Sequence, residues 1–362
     1  MLPLNWQRVR LGDILSYEQP TKYLVATTQY LQKGFTPILT AGKTFILGYT
    51  NDKHGIYTNI PVIIFDDFTT DSKMVNFPFK VKSSAIKILS LRDNNQADLK
   101  YIYEKLTLLK HQVTDHKRYW IDEFSNFEIP LPPLNEQIAI ANILSDLDRY
   151  LCALDALILK KESVKKALSF ELLSQRKRLK GFNQAWQRVR LGDICEIVKG
   201  QQINKISLNN TDKYPVINGG IDFLGYTNKF NISKNTIAIS EGGTCGYVRF
   251  MTSNFWSGGH NYSLQKISNK VNNLCLYHIL KSYEKDIMKL GVGSGLKNIQ
   301  LKALKDFEIP IPPLNEQSAI ANVLSGLDNE IISLKNKKRQ FENIKKALNH
   351  DLMSAKIRVL EK

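Results

Sequence analysis

Four short segments combine cations, aromatic rings and amide side chains: HKRYW at 116–120, KGQQIN at 199–204, INGGID at 217–222 and FWSGGHNY at 255–262. Lys and Arg neutralise phosphate, aromatic rings stack on bases, and Arg, Asn and Gln present donor–acceptor forks that match base edges. These residue types suit a nucleic acid. The residues singled out as contacts are Lys43, Lys53, His54, Lys73, His116, Lys117, Arg118, Tyr119 and Trp120 in the first half of the chain. In the second half they are Gln201, Gln202, Asn218, Gly219, Gly220, Arg249, Trp256, His260, Ser294, Lys297 and Asn298. A solvated or structural role stays open for each of them taken singly.

Catalytic chemistry finds no comparable set of residues. A DNA methyltransferase needs a glycine-rich cofactor loop after a strand, and an acidic or Asn residue before Pro-Pro and an aromatic. GVGSGL at 291–296 is glycine-rich but follows a helical pattern. AGKT at 41–44 has the ending of a P-loop, yet Pro37 stands where that loop requires glycine. Asp66 and Asp67, with Lys80 and Lys82 downstream, lack the Asp/Glu-x-Lys arrangement of a metal-dependent nuclease and read as strand-edge charges. His111 and His116 have no Cys or acidic partner in ligand register. The cysteines at 152, 195, 245 and 275 form no CxxC pair and read as small buried apolar residues. The sequence predicts no catalytic residue, no metal and no cofactor in this chain.

The charge balance favours a polyanion. Of 362 residues, 50 are Lys or Arg against 34 Asp or Glu, a net charge of +16. By segment the net is +3 for 1–133, +3 for 134–180, +7 for 181–313 and +3 for 314–362. A positive field spread along the chain suits a long anion more than one small ligand. Apolar runs such as Ile60 to Phe65 are far below the ~20 residues of a membrane helix. The opening residues lack a signal-peptide pattern, so a cytoplasmic location is expected.

An internal repeat sets the architecture. WQRVRLGDI at 6–14 recurs without change at 186–194, an offset of 180. FEIPLPPLNEQIAIANILSDLD at 127–148 recurs as FEIPIPPLNEQSAIANVLSGLD at 307–328, with 18 of 22 residues identical, and KKAL at 165–168 recurs at 345–348. Between these matches the halves diverge, apart from ILTAGKTFILGYTN (38–51) and VINGGIDFLGYTN (216–228). Each repeat changes character at Pro130, Pro132, Pro133 and Pro310, Pro312, Pro313, which end regular structure. Upstream lie short runs rich in Ile, Val, Phe, Tyr and Thr, the pattern of an α+β domain, with one helix expected over Asp98 to Leu109.

Downstream of the prolines, Asn135 and Asn315 are candidate helix caps. Apolar residues then recur at Ile140, Leu144, Leu147, Leu151, Leu154, Ile158, Val164, Leu168 and Leu172. The second copy has Ile320, Leu324, Leu327, Ile331, Leu334, Phe341, Ile344, Leu348 and Leu352. Alternating steps of three and four mark a coiled-coil seam. A helix of about 40 residues is about 60 Å long, too long for the interior of such a domain. Two of them can bury their seams against each other. A pseudo-two-fold axis then predicts an antiparallel pair, with a globular domain at each end of a rod.

The duplicated W-x-R-V-R-L-G-D-I openings, the IPLPPLNEQ and IPIPPLNEQ junctions and the heptad tails resemble the specificity subunit of type I restriction-modification enzymes over the whole chain. The resemblance implies target-recognition domains at 1–133 and 181–313, each reading one part of a split double-stranded DNA site, and spacer helices at 134–180 and 314–362. HKRYWIDEFSNFEIP and GVGSGLKNIQLKALKDFEIP look like that family's two ways of ending such a domain. It also implies two modification subunits that bind S-adenosylmethionine and methylate adenine at N6, and restriction subunits that use ATP and Mg and cut DNA. Three other readings stay open from the residues: a recognition subunit whose partner fuses methylase and nuclease, a self-sufficient DNA-modifying enzyme, and a protein-binding coiled-coil scaffold. The missing motifs weigh against the second. The loop aromatics and the +7 segment are unexplained by the third.

Overall fold

A computed structural model describes residues 3–42, 44–109 and 118–359. The chain forms two compact units: Met1–Asp155 with Lys337–Lys362, and Ala156–Asn336. Lys43, His111, His116 and Lys117 lie outside the described residues.

The same topology builds both units, although most of their sequence differs. In the first, an antiparallel four-stranded sheet runs in the order Leu15–Glu18, Ile86–Leu91, Val62–Asp66, Ser72–Val75. A three-stranded sheet runs Ile46–Thr50, Thr36–Leu39, Lys80–Val81. In the second, the corresponding orders are Glu196–Lys199, Asn261–Gln265, Thr236–Ser240, Val248–Met251, and Gly225–Thr227, Tyr214–Ile217, Trp256–Ser257. Side chains alternate across a strand. Ile63 and Phe65 therefore face a core with Leu89, Trp120 and Phe124, while Val62 and Ile64 face Leu39, Phe79 and Val81. A strand buried on both faces explains the unbroken apolar run VIIF.

The helix expected over Asp98 to Leu109 is Leu99–Leu108, capped by Asp98, whose carboxylate accepts from Tyr101 N at 2.8 Å. Its counterpart, Asn273–Ser282, is capped by Asn272. Asp67 departs from the strand-edge expectation: it is buried, paired with the equally buried Lys87 at 2.8 Å, and accepts from Trp120 N at 2.9 Å. Burial without that pair would leave two isolated charges. Cys195, Cys245 and Cys275 are buried, whereas Cys152 is exposed on a long helix.

The openings and junctions pair as two-stranded ribbons, Gln7–Arg10 with Glu128–Leu131 and Gln187–Arg190 with Glu308–Ile311. The long helices Leu134–Leu173 and Leu314–Met353 begin directly after the prolines. Asn135 is thus inside the first turn rather than at the cap, and the carbonyl of Pro133 accepts from Glu136 and Gln137 N. Glu136 is buried. Its carboxylate accepts from Trp6 Nε1 at 3.2 Å and from Arg358 Nε and Nη2 at 2.6 and 2.9 Å. In the second unit Glu316 accepts from Trp186 Nε1 at 3.1 Å and from both Arg178 Nε and Nη2. Gln137 and Gln317 fill equivalent positions. Each accepts from the cap residue of the short helix, Asp98 N at 2.9 Å or Asn272 N at 2.7 Å, and donates to Pro132 O or Pro312 O at 2.8 Å.

Within each unit the long-helix segments run antiparallel. Asp155 pairs with Lys338 and Asp148 with Lys345 in the first unit; Lys161 pairs with Glu330 and Lys165 with Asp328 in the second. Ile140, Leu144, Leu154, Ile158 and Leu172 are buried as the seam requires, as are Ile320, Leu324, Ile331 and Leu352. Val164 and Ile344 are exposed instead. The heptad from Ile158 to Leu172 passes through Lys165, so the seam position is a lysine and Val164 stands one residue off it.

Two outcomes follow. Arg358→Ala strands the buried Glu136 carboxylate and is expected to cost about 3 kcal/mol. Hydrogen exchange should speed up at Gln7–Arg10 and Glu128–Leu131 and stay unchanged at Gln187–Arg190; unchanged exchange at the first ribbon refutes the clasp. The second concerns His278, buried in the second unit, with Nε2 3.0 Å from Ser325 Oγ. Burial pushes its pKa down from 6.5 to about 4, against the opposing pull of Asp328. The unfolded chain takes up the proton below pH 6.5 and the folded one only near 4, so stability falls as pH drops through that window, by about 3 kcal/mol. Thermal unfolding at pH 7 and pH 4.5 should show a smaller acid loss for His278→Gln than for the parent protein.

Candidate nucleic-acid interface

In the second unit, five chain segments meet at one edge. Strand Glu196–Lys199 runs out into Gly200, Gln201 and Gln202, and Gln201 N donates to Ser257 O at 2.8 Å. Thr236–Ser240 runs out into Glu241, Gly242 and Gly243, with Glu241 N donating to His260 O at 2.9 Å and Ile299 N donating to Glu241 O at 2.9 Å. Tyr214–Ile217 leads to Asn218 and Gly219, where Gly258 N donates to Ile217 O and Thr244 N to Gly219 O, both at 2.8 Å. The Asn218 side chain accepts from His260 N at 2.9 Å.

Glycine makes this convergence possible. Gly219 has φ +80°, and a Cβ there would lie 2.5 Å from the Gly242 carbonyl oxygen; a Cβ on Gly242 would collide with Asn298 Oδ1. The result is a bare backbone floor beneath exposed Gln201, Gln202, His260, Lys297 and Asn298. Under it, buried Glu241 accepts from Lys199 Nζ at 2.7 Å, and the Tyr262 hydroxyl lies 3.1 Å from the same oxygen. Burial, reinforced by Glu241, pushes the Tyr262 hydroxyl up to about 12. The other Glu241 oxygen makes no hydrogen bond among the described residues and has His260 Nδ1 at 4.0 Å. The edge therefore offers amide forks, an imidazole and exposed ammonium groups over a neutralised floor, the donor set for base edges and phosphates. Among the described residues no three metal-ligating side chains gather.

The sequence-predicted residues Gln201, Gln202, Asn218, Gly219, His260 and Asn298 are thus brought together, and Lys297 and Ser294 lie in the adjoining exposed loop between Gly291–Val292 and Asn298–Ile299. Two others are turned to structural use. Arg249 donates from Nη2 to the carbonyls of Gly220 (3.3 Å) and Ile221, and its guanidinium lies over Phe223 and Tyr247. Burial lowers its pKa. Trp256 is half-buried, and its indole N–H donates to Gln201 O at 2.9 Å.

The first unit gathers less. Lys53 and His54 are exposed in one turn, where Asp52 accepts from His54 N and from Lys80 Nζ. Burial opposes, but the Lys80 ammonium, first among the causes, holds the Asp52 carboxyl below its usual range. Lys73 is half-buried on Ser72–Val75, and Arg118 is exposed before the short helix Tyr119–Asp122. Tyr119 and Trp120 correct the sequence expectation: they are 0% and 2% exposed, and Trp120 packs edge-on to Phe65 at 5.5 Å. Two rings that fill the space between sheet and helix have no face left for a base.

Lys199, Glu241 and Gly242 belong to the edge without having been singled out from the sequence. Three Gly-Gly pairs, at 219–220, 242–243 and 258–259, were the available signal, since paired glycines at strand ends mark close backbone approach.

A family model described as the type I restriction modification DNA specificity domain matches residues 3–162 and again 183–343. A type I restriction enzyme specificity subunit of Escherichia coli is 34% identical over 356 residues, covering 88% of this chain and 85% of that protein. The MjaVIII specificity subunit of Methanocaldococcus jannaschii is 26% identical, covering 99% and 94%. A crystal structure of a type I restriction-modification S subunit from M. genitalium superimposes with a TM-score of 0.74 at 22% identity, covering 97% and 98%, which shows the shared fold.

Lys297→Ala and Asn298→Ala separate the chemistry of the edge. On duplex DNA, loss of a phosphate contact weakens binding to all sequences and makes the salt dependence shallower by about one unit; loss of a base contact costs about 1–3 kcal/mol at one position. Unchanged affinity and selectivity in both variants would move the interface away from this edge.

Proposed function

Because the chain belongs to the family of type I restriction-modification DNA specificity subunits, we propose that it reads a bipartite duplex DNA site with a fixed gap. In this reading residues 1–133 and 181–313 are two recognition domains, one for each half-site, with long-helix segments 134–180 and 314–362. The chain is non-catalytic by itself. Two modification subunits, carrying S-adenosylmethionine, methylate adenine under its direction, and restriction subunits using ATP and Mg cut DNA, all in the cytoplasm.

The observation that carries this reading is the convergence of Gln201, Gln202, His260, Lys297 and Asn298 on one glycine-floored edge of the second unit. It supplies the donors and acceptors that base edges require, in the segment of highest net positive charge. The family match on both repeats supports two readers rather than one. The sheet order shared by two divergent inserts supports independent variation of each, because the frame does not depend on the residues at its edges.

Replacing residues 15–126 by the equivalent insert of another family member should change one half of the methylated site and leave the other intact. Methylome sequencing of cells carrying the hybrid with a modification subunit decides this. A site altered in both halves would overturn the two-reader model.

A further inference from the structure

Between strands Tyr214–Ile217 and Gly225–Thr227 of the second unit, the hairpin tip presents three apolar side chains to solvent: Ile221, Phe223 and Leu224, exposed by 54%, 44% and 37%. Single exposed apolar residues are ordinary on a soluble protein. These three share one tip, and its backbone is pinned from both sides. Arg249 reaches across from Val248–Met251 to donate to the carbonyls of Gly220 and Ile221, its Cζ 5.2 Å from the Phe223 ring centroid. Leu224 N donates to Val216 O at 2.8 Å. A half-buried arginine thereby holds an apolar knob in place.

The tip is continuous with the polar edge, since Asn218 and Gly219 begin the same loop. The corresponding hairpin of the first unit differs: its Phe45 is half-buried with Phe77 at 6.2 Å, Ala41 is fully buried, and Ile46 is its one exposed apolar residue among the described residues. A cluster of three exposed apolar side chains at this tip is thus particular to the second unit.

The major groove of duplex DNA is about 12 Å wide, admits a two-stranded β-ribbon, and displays one apolar group, the C5-methyl of thymine. Resting on the DNA-reading role proposed above, we propose that the Ile221–Leu224 tip enters the major groove of the second half-site and reads a thymine methyl. Arg249 is its positioning residue. Continuity with the amide-bearing edge and the +7 charge of residues 181–313 favour DNA over a protein partner as the occupant.

The test uses the chain assembled with its modification subunits and duplexes carrying the methylome-defined site. Each thymine of both half-sites is replaced singly by deoxyuridine, which removes the methyl and keeps the base-pairing edge. Anisotropy should show about a four-fold loss of affinity, the worth of one buried methyl, at one position of the second half-site. The loss should vanish in Phe223→Ser or Ile221→Ser and persist in Phe223→Leu, while selectivity at the other positions of the second half-site stays as in the parent and reports on folding. The proposal is overturned by a second half-site without an A·T pair, by no deoxyuridine effect there, or by the same effect in both serine variants. Serine variants that shed the modification subunit on size exclusion would also overturn it, assigning the tip to a protein contact. A parent complex that fails to distinguish its site from scrambled DNA would instead sink the DNA-reading role itself.

Discussion

A buried carboxylate holds each repeat together. Glu136 and Glu316 sit almost out of reach of water, and an ion in that position is tolerable only when paired and hydrogen-bonded. The tryptophan comes from the WQRVRLGDI opening and the arginine from the stretch beyond a long helix, so that one side chain joins the ribbon, the proline junction and the returning chain. The neighbouring glutamine ties the same junction to the short capped helix. This accounts for the conservation of Leu-Asn-Glu-Gln between the two halves when most of the intervening sequence has diverged. It also explains why the units do not follow the linear order of the repeats. The first unit takes its arginine from position 358, and so contains the last residues of the chain.

The seam of the long helices adds a second constraint. Lys165 and Lys345 occupy heptad positions where an apolar residue would pack, and each meets an aspartate, Asp328 or Asp148, on the opposing segment. In the first unit Lys345 also reaches buried Glu104, which is shared with Lys100 and Asn349. In the second, His278 holds the place of Glu104 and is neutral beside Ser325. A polar pair in a seam costs stability but penalises a slip of register, because sliding one helix by a turn leaves the lysine facing apolar neighbours. Such a slip would pull the arginine of the clasp away from its glutamate, so the two constraints act on the same degree of freedom.

Repetition made the frame legible. Nine identical residues at one end and 18 of 22 at the other fix the unit length, and the proline clusters fix where strand gives way to helix. The seam was legible as far as its apolar positions, but Val164 and Ile344 are the nearest apolar residues to positions that carry lysine, so a reading by hydrophobicity shifts by one. The candidate interface was legible in part. Gln202, Asn218 and His260 have no core role open to them, and their loops do converge. Tyr119, Trp120 and Arg249 mislead for a shared reason. An aromatic or an arginine suits a nucleic acid through the same ring faces and donors that suit a core or a carbonyl pair, and only burial distinguishes the two. Glu241 was signalled only by the glycine pair that follows it, since its place is set by strands distant along the chain.

The frame and the strand-end edges are decoupled by their position on the sheets. The clasp and the glutamine brace act at the ribbons and the helix starts, whereas the glycine-floored edge and the apolar tip lie where strands run out into loops. A loop at a strand end can change its side chains while the alternating core beneath, Ile237 and Ile239 on one face and Ala238 on the other, keeps its packing. The two units bear this out within one chain: the same order of strands carries a polar edge with an apolar tip in the second, and in the first a hairpin whose phenylalanine is folded back towards Phe77. A duplicated frame with independent edges lets the two units carry different surfaces, because the residues that fix the helix register within each unit are not the residues exposed at its edges.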